Sequence, residues 1–139
     1  MQGLKLVLFG LVCLVCISGC SRLFGFGNGN CEANSVGVVR ITPPNGAEVI
    51  NESCSTGINP TQRITFTIEP DQLQEIQDSV QITDWQENPP LPDSFEDEAA
   101  SMSSYIYGHY ADGAVDLDML IDTSNPQRYT VYYVGSFVD

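Results

Sequence analysis

Val115, Leu117, Met119 and Ile121 alternate with Asp116, Asp118 and Asp122. A period of two is what a strand produces when one face is buried and the other meets water, because successive side chains leave it on opposite sides. A helix would scatter the same residues around its axis. The pattern returns in Ile64, Phe66 and Ile68 against Thr65 and Thr67, and in Tyr129, Val131 and Tyr133 against Thr130 and Tyr132. Shorter runs with the same character are Val36 to Ile41, Val80 with Ile82, and the aromatic-rich Ser103 to Tyr110. Turn signals separate them: Pro43-Pro44-Asn45-Gly46, Asn59-Pro60, Pro89-Pro90, Asp112-Gly113 and Asn125-Pro126. About six to seven short strands with turns between them predict an all-β fold, an antiparallel β-sandwich forming one domain over residues 36–139. Pro70 to Ile76 reads as one or two helical turns, with Pro70 and Asp71 at the start and Leu73, Ile76 and Val80 on one side. Asn51 to Asn59 reads as a loop, and Gln86 to Ala100 as a Pro-rich, acidic one.

The first twenty residues have another character. Met1 to Lys5 carries one positive charge, Leu6 to Ile17 is apolar apart from Gly10, and Ser18-Gly19 are small. That is the layout of a secretory signal. Its apolar run is short of the roughly 20 residues a membrane helix needs. The tetrad Ile17-Ser18-Gly19-Cys20 resembles the lipobox of bacterial lipoproteins, an aliphatic residue and two small ones before a cysteine. The resemblance implies that residues 1–19 are removed and that the Cys20 thiol carries a diacylglyceryl group. Two or more acyl chains hold a protein to a bilayer without spanning it. It also implies the outer membrane, because Ser21 stands where an Asp tends to retain lipoproteins in the inner one. Residues 20–35, with Gly25, Gly27 and Gly29, read as a flexible lipidated linker.

A second resemblance covers the rest of the chain. Ile41-Thr42-Pro43-Pro44-Asn45-Gly46-Ala47, followed by Ile64-Thr65-Phe66-Thr67-Ile68-Glu69-Pro70, is similar to the opening of bacterial Ig-like domains of the S-layer-associated type. Ser79 to Asp84 resembles their third strand, and Tyr129-Thr130-Val131-Tyr132-Tyr133-Val134-Gly135 their "Y-T-V-T-V" strand. The resemblance implies an Ig-like sandwich with a binding or structural role at the cell envelope. The family places one more strand after the "Y-T-V" segment, which implies an unfilled sheet edge able to pair with another strand.

Removal of the signal takes Cys13 and Cys16, and lipid occupies Cys20. Cys31 and Cys54 remain, and an exported, oxidising compartment favours one disulfide between them over two free thiols. Such a bond would close a loop of about 24 residues and contribute roughly 3 kcal/mol. The single Lys lies in the signal and every acid follows Cys20. The mature chain's four Arg against eighteen Asp and Glu therefore leave a formal charge of −14. Such a surface repels phosphate backbones and excludes nucleic acid as a partner. It leaves the membrane, reached through the Cys20 acyl chains, and an envelope protein or a glycan.

No catalytic or metal constellation outweighs its plainer reading. His109, the only histidine, stands between Gly108 and Tyr110 and reads as a solvated or packed ring. Glu96-Asp97-Glu98 reads as a solvated charge run. Asp112, Asp116 and Asp118 are close in sequence, but their spacing is not that of an EF-hand loop, and the last two suit the wet face of a strand. Tyr105, Tyr107 and Tyr110 in one strand, with Tyr129, Tyr132 and Tyr133 in another, would form an aromatic platform only if their outward members adjoin. The expectation is a non-catalytic envelope module with no cofactor, no catalytic residue and no metal ligand. Its alternatives are an accessory subunit pairing through an open sheet edge and a small carboxylate-dependent, glycan-active enzyme.

Overall fold

The computed structural model describes residues 39–55 and 58–138. The expected leader, the expected lipidation site at Cys20 and the expected linker with Cys31 lie outside the described residues. Among the described residues, six strands form one antiparallel sheet: β1 (Glu48–Ser55), β2 (Thr61–Ile68), β3 (Trp85–Glu87), β4 (Tyr105–Ala111), β5 (Val115–Asp122) and β6 (Tyr129–Phe137). Their order across the sheet is β1-β2-β6-β5-β4-β3. A 3-10 turn, Pro70–Gln72, runs into α1 (Leu73–Asp78), and a second, Asp93–Phe95, runs into α2 (Glu96–Ala99). The helical turns at Pro70 to Ile76 fall where the proline and the apolar spacing place them.

Register makes the core. Phe66 lies beside Val131, and Val131 beside Ile121; Ile64 lies beside Tyr133, and Tyr133 beside Met119. All six are buried. This is the face to which the period-two alternation points, and removing it from water is the main driving force available to the domain. Val39, Ile41, Ile76 of α1 and Ile82 close over it, with Trp85 packed at the side. The fold is therefore all-β and sandwich-like, and its second layer is built from an extended segment, a short helix and a loop.

That second layer differs in detail from the strand assignments. Val39 to Ile41, the described part of the expected first strand, has no ladder of its own. Side chains take the ladder's place. The Ile41 amide donates to Gln62 Oε1 at 2.8 Å, and Gln62 Nε2 donates back to the Ile41 carbonyl at 3.4 Å and to Glu52 Oε1 at 2.8 Å. The Tyr133 hydroxyl donates to the Val39 carbonyl at 2.8 Å. Gly135 makes room for this, since a Cβ there would stand 2.4 Å from the Val39 carbonyl oxygen and 2.6 Å from the Tyr133 hydroxyl. Val80 to Ile82 is not a strand either. Ile82 still enters the core, and pairing begins only at Trp85.

β1 covers much of what reads as a loop at Asn51 to Asn59. Its pairing with β2 shifts between Val49 and Asn51. An irregularity of this kind breaks the alternation by which a strand is recognised. β6 is flanked on both sides, by β2 and β5, so among the described strands the edges of the sheet are β1 and the three-residue β3. The face opposite the core holds a smaller apolar group. Leu120 and Phe95 are buried there, and the Phe95 ring meets Tyr107 edge-on at 6.1 Å and 68°.

Candidate functional site

The β4–β5 hairpin brings together residues that are distant in kind and near in register. Its turn is held by Asp112, whose amide donates to the Val115 carbonyl at 3.1 Å and whose Oδ1 accepts from the Val115 amide at 3.2 Å. That closure sets His109 directly opposite Asp118, and Asp116 opposite Ala111. Because the period is two, His109, Asp116 and Asp118 all leave the sheet on the face away from the core. His109 Nδ1 lies 3.0 Å from Asp118 Oδ1 and 3.5 Å from Asp116 Oδ1. The three donor atoms lie within 4.8 Å of one another.

The surroundings of the cluster are graded. The side chains of His109 and Asp116 are 47% and 40% exposed, and that of Asp118 is 22% exposed. The Tyr107 hydroxyl donates to the same Asp118 Oδ1 in a short hydrogen bond. Burial, reinforced by that bond and by the charge of Asp118, raises the Tyr107 phenol well above its usual pKa. It therefore stays a donor and holds Asp118 in place. Asp116 Oδ1 differs: it is closed to solvent and has no hydrogen-bond partner.

The other candidates from sequence are placed as follows. Asp112 does not join Asp116 and Asp118. Its two oxygens are used by the turn, Oδ1 by the Val115 amide and Oδ2 by the Tyr110 hydroxyl at 3.0 Å. The tyrosines divide between faces. Tyr105, Tyr107 and Tyr132 share the face of His109, whereas Tyr110, Tyr129 and Tyr133 lie on the core face. Tyr105 donates to the Pro89 carbonyl at 2.7 Å and Tyr107 packs on Phe95, so both are engaged from above by the segment that leads into α2. Glu96, Asp97 and Glu98 form the first turn of α2, where carboxylates complement the helix dipole. Glu98 also lines a groove of about 150 Å³ with Arg63, Thr65, Ser94 and Tyr132. Among the described lining residues it is the single carboxylate, where glycoside hydrolysis uses a facing pair.

Cys54 lies in β1 opposite Gln62 and packs against the core. Its sulfur is engaged and does not titrate as a free thiol. No described helix is long and apolar enough to cross a membrane. No family model, no curated protein and no solved structure matches the chain.

Sequence reasoning missed the grouping of His109 with Asp116 and Asp118. The signal was present in the turn. Once Asp112-Gly113 is taken as the tip of a hairpin, counting outward pairs residue 109 with 118 and puts 116 on the same face.

Proposed function

We propose that the protein is an envelope lipoprotein, held to the outer membrane through acyl chains on Cys20, whose β domain is a non-catalytic, Ig-like binding or structural module. The observation that carries the reading is the tripartite leader ending in Ile17-Ser18-Gly19-Cys20. A domain with a buried apolar face and an acidic exterior suits the end of such a tether, because nothing in its chemistry draws it to anionic headgroups. The residues between Cys20 and Val39 supply the reach. The kinship with the S-layer-associated Ig-like type rests on the Pro43 to Ala47 turn and on the motifs that fall in β2 and β6. In an oxidising envelope Cys31 and Cys54 form the domain's one disulfide.

The test is fractionation. The wild-type chain follows the membrane pellet and enters detergent, and Cys20→Ala moves it to the soluble exported fraction or leaves it unprocessed. A Cys20→Ala protein that still pellets with membranes refutes the anchor.

One observation favours the accessory-subunit reading. β1 is an edge strand, no described strand pairs with its outer side, and it exposes Val49 at 49% and Ile50 at 60%. A strand from a larger envelope protein would add there. Crosslinking from position 50 in intact cells then returns one stoichiometric partner, lost on Val49→Pro. A chain that crosslinks to nothing and runs as a monomer removes this reading.

A further inference from the structure

We propose that His109, Asp116 and Asp118 form a binding site for a first-row divalent transition-metal cation, of which zinc is the representative probe. The argument begins with a shortage of protons. His109 Nδ1 carries at most one hydrogen, and two carboxylate oxygens converge on it, at 3.0 and 3.5 Å. In the tautomer that protonates Nδ1, that hydrogen is placed for Asp118, the nearer of the two. Asp116 Oδ1, closed to solvent within a carboxylate whose remaining surface is exposed, has His109 Nδ1 at 3.5 Å and accepts no hydrogen bond. One proton cannot satisfy the set, and one dication can.

The spacing agrees with this. Metal–nitrogen and metal–oxygen bonds of about 2.0–2.2 Å at tetrahedral or octahedral angles hold neighbouring donors roughly 3.0–3.5 Å apart. The two distances from Nδ1 fall at these limits. One imidazole with two carboxylates is a borderline donor set, suited to zinc, manganese or nickel. Calcium requires six to eight oxygens. The Tyr107 hydroxyl on Asp118 is the outer support that metal-ligating carboxylates commonly have. The exposed sides of His109 and Asp116 leave the remaining coordination positions to water or to a group from another molecule. The ion would tie β4 to β5 near the turn of their hairpin and add to the stability of the native state alone.

The experiment uses the purified full-length lipoprotein in detergent, stripped with chelator. Zinc titrated calorimetrically binds at one equivalent and raises the thermal midpoint, while calcium at the same concentration does neither. His109→Gln and Asp116→Asn each weaken zinc binding at least tenfold and abolish the shift. Asp116→Asn is the cleaner variant, because it leaves the Tyr107 to Asp118 bond in place, and far-UV circular dichroism confirms that each variant is folded. Three outcomes overturn the proposal: no zinc-dependent shift in the wild type, zinc binding that survives both substitutions, or an equal response to calcium. The last two would assign the ion to the general acidity of the surface.

Discussion

Three residues carry more of the structure than their number implies. Gln62 is fully buried and serves both polar groups of Ile41 as well as Glu52. Gln62→Leu would fill the space and leave the Ile41 amide and carbonyl buried without partners. Each such group costs about 1–3 kcal/mol, so the expected loss in urea unfolding is about 2–4 kcal/mol, with an unchanged m-value. Tyr133 sets an alkaline limit. Burial pushes its phenol well above the usual value near 10. The native state therefore holds this proton where the unfolded chain has released it. The contribution is complete below about pH 10 and declines as the pH rises from there toward the native pKa. Tyr133→Phe loses the bond to Val39, worth about 1 kcal/mol, and shows a shallower decline above pH 10. Equilibrium unfolding from pH 7 to 11 reads both. Gly108 is the third, since a Cβ there would stand 2.5 Å from Ile82 and 2.7 Å from Trp85. Gly108→Ala forces that corner apart and costs about 1–3 kcal/mol, measured by the same unfolding.

At the scale of elements, β2, β5 and β6 were legible because buried apolar residues recur at every second position of each, Gln62 being the polar exception in β2. Sandwich burial depends on that pattern and on little else. β4 was legible from its aromatics, although its inward face emerged only from pairing with β5. β1 was not, because an edge strand with a shifted register meets no requirement to alternate. Val39 to Ile41 and Val80 to Ile82 misled for the converse reason. Their hydrophobicity reports burial, and burial is achieved there without a ladder, through Gln62 and Tyr133 in the first case. The candidate site was half legible: Asp116 and Asp118 were identified as a wet strand face, while their relation to His109 needed the hairpin register. The segment leading into α2 is held chiefly by Phe95. Phe95→Ala is expected to cost about 3 kcal/mol. Hydrogen exchange should show protection lost around residues 93–100 and retained in β5 and β6.

At the scale of the whole molecule, the proposed reading sets an acidic β domain behind a segment that follows a lipid-bearing Cys20. Its stability and its location then depend on different cysteines. Reduction of the proposed Cys31–Cys54 bond should lower unfolding stability by about 3 kcal/mol and leave membrane association unchanged. Loss of Cys20 should do the reverse. The anchor is the claim on which the envelope placement and its partners depend, and intact-mass analysis of the detergent-purified protein tests it most directly. The expected species begins at Cys20 and carries the mass of a diacylglyceryl group with a further acyl chain; a chain that begins elsewhere, or begins at Cys20 without added lipid, contradicts the account.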